Sequence, residues 1–420
     1  MPGGRQDYTP ASMTQIRPFR ALRYPASLGP LESLLAPPYD VISEEYRQTL
    51  LSRHPANVVR VILKDPADGD RGYARIGETF AKWRAGGTLA QDLEPAIYLL
   101  EQRFAWEGRR YVRLGILTRF KVEPEGSPVI RPHEKTRGPA KEDRFSVLKA
   151  TRANFSPIFL FFEDQGAFAA AAARAKGRHA ILAEYKDDDG VGHTVWAITN
   201  AEDVKALAEP AGGGPSYIAD GHHRYATAQR YLREVGPEGT TTYGYFCPNH
   251  EGLLVLPYHR IVFGAPSLAE VMSRLEGRYL LNVASDPEAA AREVANSTLP
   301  FAFAICWPDG KSVVCESAPG VEDELPKESP PCLKDLDTYF LHQVGFKHLG
   351  LSDPKVEFVH SLADARAELA AHPDAVAVLM RATPLRHIAA VANASESMPP
   401  KSTFFHPKIP SGLLIHPLEA

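Results

Sequence analysis

Apolar positions recur along the chain with two different periods, which predict a mixture of helices and strands. Between residues 71 and 86 they recur at spacings of three and four, the pattern of a helix with one buried face. The segments 96–106 and 110–120 alternate apolar and polar residues around a Glu-Gly-Arg turn, which predicts a β-hairpin. Because helices and strands do not follow a strict βαβ order, we expect an α+β fold with a mixed-sheet core.

Shorter patterns predict further elements. The β-branched run 57–63 and the apolar run 216–219 are typical of strands. Ser43 precedes two glutamates and is expected to cap the start of a helix. After a turn at 220–223, residues 224–234 are expected to form another helix.

The length of 420 residues fits two to three domains. The pattern of the sequence changes after Pro266. We expect a flexible N-terminus over residues 1–15 and a main α+β domain over 16–266. A second α/β region is expected over 267–395. The final segment, 396–420, is expected to return to the core.

Composition and charge exclude several classes of protein. Hydrophobic residues make up 44% of the chain and charged residues 23%, as in ordinary soluble domains. The net charge of −4 argues against nucleic acid as a partner. The apolar runs fall far short of the roughly 18 residues that a membrane span needs, and the first residues contain no apolar signal segment. We therefore expect a cytoplasmic protein without a membrane partner. A homodimer is consistent with the sequence.

The strongest local motif is a strand, a glycine and a helix start at Asp220-Gly221-His222-His223-Arg224. The first N–H groups of a helix lack intrahelical acceptors and face outward at the positive end of the dipole, which suits a phosphate. The two histidines and Arg224 add side-chain donors, and Asp220 is a candidate ligand for Mg²⁺. The alternatives are an ordinary helix start with surface histidines, or a weaker His-His zinc site.

A second group of charged residues lies between Arg131 and Arg144. Glu134 follows a proline-histidine pair and is our candidate for the general base that accepts a proton from a substrate hydroxyl. His133 and Lys135 are candidates to bind the substrate. The alternative is a solvated surface loop, the usual fate of a run of charges. Rival candidates for the base are Glu44, Glu45 and Glu142.

Three further segments carry candidate binding residues. Two prolines fix Tyr39 and Asp40 together, and these side chains either bind the substrate or serve to pack and to cap a helix. Arg260 is a candidate anion ligand. A cationic, hydroxyl-bearing segment near the C-terminus has a composition suited to a phosphate or a purine, although a surface edge strand is the alternative. Its members are Lys401, Ser402 and Thr403.

The Asp220–Arg224 motif resembles the D-G-x-H-R phosphate loop of the ParB/sulfiredoxin-like fold, and that of the free serine kinases most closely. The resemblance implies a nucleotide, ATP or ADP, at this loop. It also implies a catalytic glutamate upstream of the loop, a place that Glu134 fills. No cysteine lies near Gly221, so repair of sulfinic acids, the sulfiredoxin reaction, is not expected.

Motifs spread over nearly the whole chain resemble the family called domain of unknown function 1015 (DUF1015). The family itself implies little settled biochemistry beyond a weak association with serine phosphorylation. The motifs are Pro18-Phe19-Arg20, Ala36-Pro37-Pro38-Tyr39-Asp40, Asn57-Val58-Val59-Arg60, Pro132-His133-Glu134-Lys135-Thr136, Lys141-Glu142-Asp143-Arg144, Ala153-Asn154-Phe155-Ser156-Pro157-Ile158, Pro257-Tyr258-His259-Arg260 and Pro400-Lys401-Ser402-Thr403.

These observations lead to one main functional hypothesis and two alternatives. The main one is a phosphotransferase that uses ATP or ADP with Mg²⁺ and acts on a small hydroxyl metabolite, with free L-serine as the first candidate, in either direction. One alternative is a ParB-like nucleotide-binding regulator without turnover, and the other is a scaffold. In the main hypothesis the catalytic residues are Glu134, Asp220, His223 and Arg224.

Overall fold

A computed structural model of the chain describes residues 13–136 and 138–418, without the side chains of Asp70, Pro139, Ala140 and Glu238. The described chain divides into two compact units. The first comprises the chain up to Pro132, Thr136–Leu253 and the chain from Pro407 onward. The second comprises His133–Lys135 and Leu254–His406. Most of the expected flexible N-terminus, residues 1–12, lies outside the described residues, whereas Thr14 is buried and its backbone N–H donates to Gly212.

The elements of the described chain are numbered in chain order. The strands are β1 (Ile16–Arg17), β2 (Leu22–Arg23), β3 (Ala90–Gln91), β4 (Ile97–Trp106), β5 (Arg109–Lys121), β6 (Ile130–Arg131), β7 (Ala153–Asn154), β8 (Ile158–Phe162), β9 (Ile181–Lys186), β10 (Gly192–Ile198), β11 (Ser216–Asp220), β12 (Thr241–Pro248), β13 (Leu254–Leu256), β14 (His259–Phe263), β15 (Tyr279–Ala284), β16 (Ala302–Cys306), β17 (Ser312–Ser317), β18 (Val356–Val359), β19 (Ala375–Met380), β20 (Phe404–His406) and β21 (His416–Pro417). The helices are α1 (Leu31–Leu34), α2 (Glu44–Arg53), α3 (Val59–Ile62), α4 (Gly72–Ala85), α5 (Gly138–Thr151), α6 (Ala167–Arg178), α7 (Ala201–Gly212), α8 (His222–Glu234), α9 (Leu268–Leu275), α10 (Pro287–Asn296), α11 (Asp337–Phe340), α12 (Phe346–His348), α13 (Leu362–Ala371) and α14 (Leu385–Asn393).

The first unit is built on a mixed sheet with the strand order β6-β11-β8-β12-β5-β4-β10-β9, and β1 pairs with β5. The β4–β5 hairpin runs through the middle of this sheet, with Trp106 opposite Arg109, as the alternating pattern predicts. β11 pairs in parallel with β6, and β12 pairs in parallel with β8, while the other pairs are antiparallel. β11, which ends at Asp220, is therefore held between two neighbours.

Three helices pack on the sheet of the first unit and form its main hydrophobic core. Phe168 of α6, Leu207 of α7 and Tyr225 of α8 belong to one buried cluster with the inward side chains of the strands, such as Leu160 and Phe246. Burial of large apolar side chains stabilises the unit by about 2 kcal/mol each. The core thereby fixes the first turn of α8 at the end of β11.

The second unit contains an antiparallel sheet with the order β15-β17-β16-β19-β14-β18. The central strand β16 is buried on both faces. Phe303 and Ile305 of β16 belong to one core cluster, and the alternate residues Ala302 and Ala304 belong to the other. The main segment of this unit begins at Leu254, whereas the composition of the sequence changes after Pro266.

The mixed α+β fold expected from the sequence is confirmed, but some local predictions are wrong. Residues 57–63 do not form a strand: α3 covers Val59–Ile62. The side chain of Asn57 accepts from the Val59 N–H at 2.9 Å and donates to the Leu35 carbonyl at 3.1 Å, so buried hydrogen bonds outweigh the strand preference of the valines. α8 begins at His222, two residues before the predicted start. None of the described helices has the length and apolarity that a membrane crossing requires.

Close packing in the centre of the first sheet predicts a strong effect of a single methyl group. A Cβ added at Gly115 in β5 would lie 2.5 Å from the Phe246 carbonyl oxygen and 2.6 Å from the Tyr245 ring. We expect Gly115→Ala to lower the free energy of unfolding in urea by about 1–3 kcal/mol, because the core must shift to admit the methyl group. Gly177→Ala in α6 is the matched control, since nothing lies within 4 Å of its Cβ, and an equal loss in both variants would contradict this account.

Candidate functional site

The candidate site is built where β11 passes into α8. The pairing of β11 with β8 shifts its register between Ile218 and Asp220, and such irregularities re-aim the side chain that follows them. Gly221 then adopts φ +97°, a left-handed conformation that glycine reaches without strain, and caps the helix. A Cβ at Gly221 would lie 3.0 Å from the Arg224 guanidinium. The glycine therefore lets Arg224 fold back toward the end of the strand.

The side chains of Asp220, Arg224 and Lys408 form an ionic cluster, which we call the Asp220 triad. One carboxylate oxygen, Oδ1, accepts from Lys408 Nζ, and the other, Oδ2, accepts from Arg224 Nη2. Arg224 also donates to the backbone carbonyl of Pro157. The three side chains are 12–16% exposed, so each can still be reached from solvent while its charge is largely shielded.

A buried arginine places the third member of the triad. Arg113 of β5 is fully buried, donates to the Pro407 carbonyl and donates from Nε to Gln102 Oε1 at 3.0 Å. Gln102 Nε2 in turn donates to the Lys408 carbonyl at 3.3 Å. The Arg113 guanidinium also lies 4.7 Å from the centre of the Phe159 ring. The main chain at Pro407 and Lys408 is thus tied to the central hairpin.

Burial and nearby charges shift the pKa of Asp220 in opposite directions. Burial alone would raise the pKa of this carboxyl group, but the nearby charges of Lys408 and Arg224 outweigh burial and hold its pKa well below its usual range. Asp220 is therefore ionised at neutral pH. Burial lowers the pKa of Arg113, whose guanidinium is enclosed by apolar rings and carbonyls.

A small pocket opens beside the triad, and we call it the Tyr39 pocket. Its volume is about 50 Å³. The Arg144 guanidinium stacks 3.9 Å from the centre of the Tyr39 ring, and Arg224 and Thr227 of α8 form another wall. Four motifs noted in the sequence meet here, those containing Tyr39, Arg144, Asn154 and Arg224. The remaining lining residues are Ile62, Val147, Leu148, Ala153, Phe155 and Ser156.

The residues around Asp220 do not fit the expected Mg²⁺ ligand. Both carboxylate oxygens already contact cationic side chains, so neither is available to a metal without breaking an ion pair. The described part of the chain also contains no group of three or more His, Cys, Asp or Glu side chains arranged to hold a metal.

Several predicted binding residues lie together in the second unit. His133 Nε2 is 3.1 Å from Thr403 Oγ1, and Arg260 Nη2 donates to the Lys401 carbonyl at 3.2 Å. Ser402 Oγ lies 3.1 Å from Thr338 Oγ1. These contacts fix the Lys401–Thr403 segment through its backbone and hydroxyl groups.

The other predicted residues have the following places. Tyr39 lines the pocket, and its pKa is raised, first by burial and then by Asp40, so that it is a neutral hydroxyl donor. Asp40 is exposed. His222 is buried and His223 half-buried in the first turn of α8. Glu134 is half-buried and Lys135 exposed in the second unit.

Sequence reasoning missed Lys408 as a partner of Asp220, as well as Arg113, Arg144 and Thr227 at the site. A weak signal existed for two of them, because Arg144 belongs to a family motif and Lys408 to a cationic C-terminal stretch. Arg113 occupies one position of an alternating strand and Thr227 one position of a helix. Neither pattern distinguishes such a residue from an ordinary polar position.

Comparison with known families decides the relationship of the chain. The model of a family described as a protein of unknown function (DUF1015) matches residues 16–339. The chain belongs to the DUF1015 family. This match spans both units of the DUF1015 chain and confirms the resemblance drawn from its motifs. No curated protein matches the sequence.

Solved structures similar to this DUF1015 protein share little sequence with it. A mutant free serine kinase in complex with ADP is 18% identical, with 68% of this chain and 89% of that chain covered and a TM-score of 0.34. SbnI with a C-terminal truncation, from Staphylococcus aureus, is 11% identical, with 72% and 87% covered and a TM-score of 0.37. A conserved hypothetical protein from Pyrococcus furiosus is 16% identical, with 66% and 89% covered and a TM-score of 0.31.

The lowered pKa of Asp220 predicts how acid changes the contribution of the triad to the free energy of unfolding. Asp220→Asn leaves Lys408 and Arg224 without their anion, so we expect a loss of about 3 kcal/mol in the free energy of unfolding at pH 7. A carboxyl group whose pKa is depressed by folding stabilises the protein above its unfolded pKa of about 3.9 and loses this contribution as the pH falls toward the folded value. The gap between native protein and variant should therefore narrow below about pH 4 in urea titrations. A gap that stays constant between pH 7 and pH 3 would contradict the ion pairing.

Proposed function

We propose that the protein is a phosphotransferase that moves a phosphoryl group between ATP or ADP and the hydroxyl of a small metabolite. The observation that carries the proposal is the Asp220 triad, in which one carboxylate holds two cationic side chains at the N-terminus of α8. Cations and first-turn N–H groups together form a phosphate site. Gly221 and the first-turn residues His222 and His223 belong to this site in our proposal.

The triad would act mainly by neutralising charge. In the forward direction the acceptor hydroxyl oxygen forms a bond to the terminal phosphorus, and the bond from that phosphorus to the nucleotide oxygen breaks. Lys408 and Arg224 would offset the charge that gathers on the phosphoryl and leaving oxygens. The proton of the hydroxyl passes to a general base, for which Glu134 remains our candidate. Asp220 would be the positioning residue that holds both cations.

Free L-serine is our first candidate for the acceptor, with O-phosphoserine as the product. The support is the Asp220–Arg224 sequence, which resembles the loop of the free serine kinases. The same groups serve the reverse reaction, in which phosphoserine is the phosphoryl donor. Lys401, Ser402 and Thr403 remain candidates for contacts to the nucleotide.

A nucleotide-binding regulator without turnover is the second candidate. The observation in its favour is that both oxygens of Asp220 are occupied by cations, so this carboxylate is not available as a base or a metal ligand. A regulator would bind nucleotide through the same helix start and release no product.

The decisive experiment follows product formation by phosphorus NMR. The full chain is incubated with MgATP or MgADP and L-serine, beside Asp220→Asn and Arg224→Ala variants. We expect a phosphoserine signal from the native protein and a loss of at least about a hundredfold in both variants. Arg224→Ala removes a cation from the phosphate site, and Asp220→Asn removes the carboxylate that positions both cations.

Asp309→Asn is the matched control, since Asp309 is an exposed turn residue of the second unit that pairs with Lys311. This variant should keep the native rate. Equal turnover in all proteins would overturn the site assignment. Nucleotide binding without any product would favour the regulator.

A further inference from the structure

Thr227 lines the Tyr39 pocket, and its buried hydroxyl group has no hydrogen-bond partner among the described residues. Thr227 is only 3% exposed. In a helix a threonine hydroxyl usually bonds the carbonyl one turn earlier, and a buried hydroxyl left unpaired is unfavourable. Its place in a pocket wall therefore indicates that a ligand supplies the partner.

The charge of the pocket indicates what kind of ligand this is. Arg144 and Arg224 both line the pocket, and Arg144 is 8% exposed. Their carboxylate partners are Asp143 and Asp220, but none of the described lining residues is acidic. The pocket thus presents two guanidinium groups and a hydroxyl, which are the donors that a carboxylate or a phosphate accepts from.

The size of the pocket limits the ligand to a small group. One water needs about 10–15 Å³, so the observed volume of about 50 Å³ accommodates only a few heavy atoms. Apolar side chains also line the pocket, among them Ile62 and Leu148. A nucleotide base does not fit this volume, whereas a carboxylate with its adjoining carbon does.

The pocket shares a residue with the triad. Arg224 lines the pocket and also donates to Asp220 Oδ2. Thr227 follows Arg224 by three residues and lies on the same face of α8. A ligand whose anionic end contacts Thr227 would therefore extend toward the cations that we assign to the phosphoryl group.

We infer that the Tyr39 pocket binds the carboxylate of the acceptor, which makes the acceptor a small hydroxy acid or hydroxy amino acid. This inference rests on the proposed phosphotransferase function. Arg144 and Arg224 neutralise the carboxylate, Thr227 donates to one of its oxygens, and the ring of Tyr39 holds Arg144 in place. The pocket then selects acceptors by their carboxylate. The distance from the pocket to the phosphate site limits the length of the acceptor.

The test measures binding by titration calorimetry without nucleotide, so that it is independent of turnover. The probes are L-serine, glycerate, ethanolamine and inorganic phosphate. Ethanolamine keeps the hydroxyl and amine of serine but lacks the carboxylate. We expect at least one of the two acids to bind and ethanolamine not to bind.

Thr227→Val is the discriminating variant because it keeps the shape of the side chain and removes only the hydroxyl. We expect the affinity for the acid to fall about tenfold or more, while the melting temperature of the free protein stays equal or rises, since an unpaired buried hydroxyl is removed. A merely structural hydroxyl would instead lower the melting temperature. Thr49→Val, on the exposed face of α2, is the matched control and should leave both quantities unchanged.

The outcomes separate this inference from the proposed function. Equal binding of ethanolamine, native affinity in Thr227→Val, or Thr227-dependent binding of inorganic phosphate without binding of either acid would overturn the carboxylate pocket. Phosphoserine formation in the NMR assay would still stand in those cases. Binding of an acid that depends on Thr227, without any phosphoryl transfer, would instead retain the pocket and reject the phosphotransferase.

Discussion

The carboxylate of Asp220 pairs with both Lys408 and Arg224 and brings them together at the end of β11. The arrangement of the candidate site depends on this ion pairing. An ionised carboxylate in a shielded place is stable only when positive charge lies beside it. Here two cations share one anion, which leaves the cluster with a net positive charge. That excess is what a phosphate group requires, and it lies beside a helix N-terminus of the same sign.

The supporting structure keeps Lys408 in place from a distance. Arg113 has no direct part in the cluster, yet it is fully buried and holds the Pro407 carbonyl. Burying a guanidinium among rings and carbonyls is unfavourable unless its donors are satisfied. Gln102 completes the arrangement by bonding both Arg113 and the Lys408 carbonyl. These bonds fix the main chain at Lys408, and the ammonium group of its side chain pairs with Asp220.

Local features of the site could be predicted from the sequence, and distant ones could not. The strand, the glycine and the helix at Asp220–Arg224 follow from neighbouring residues, since the turn needs a positive φ that Gly221 supplies. Lys408 lies 188 residues from Asp220 in the sequence, so no periodicity brings the two together. The strand predicted over residues 57–63 failed for the same reason. The helix there depends on a hydrogen bond from Asn57 to the carbonyl of Leu35, which lies far away in the sequence.

The family motifs are divided between the two units. Tyr39, Arg144 and Arg224 meet in the first unit, whereas His133, Arg260 and Thr403 belong to the second. A list of motifs in sequence order carries no information on this division, since His133–Lys135 belongs to the second unit although the chain on either side of it belongs to the first. Within the first unit Arg144 stacks on Tyr39, and within the second His133 contacts Thr403.

The most direct test of the central claim is the affinity for ADP of the native protein and of a Lys408→Met variant, measured by calorimetry. Methionine keeps the unbranched stem of the lysine side chain and removes its charge. Lys347→Met, at an exposed position of the second unit, is the control. If Lys408 is the cation that Asp220 holds for the phosphates, Lys408→Met should weaken ADP binding at least about tenfold and the control should not. Equal affinity for ADP in the native protein and in Lys408→Met would contradict the account.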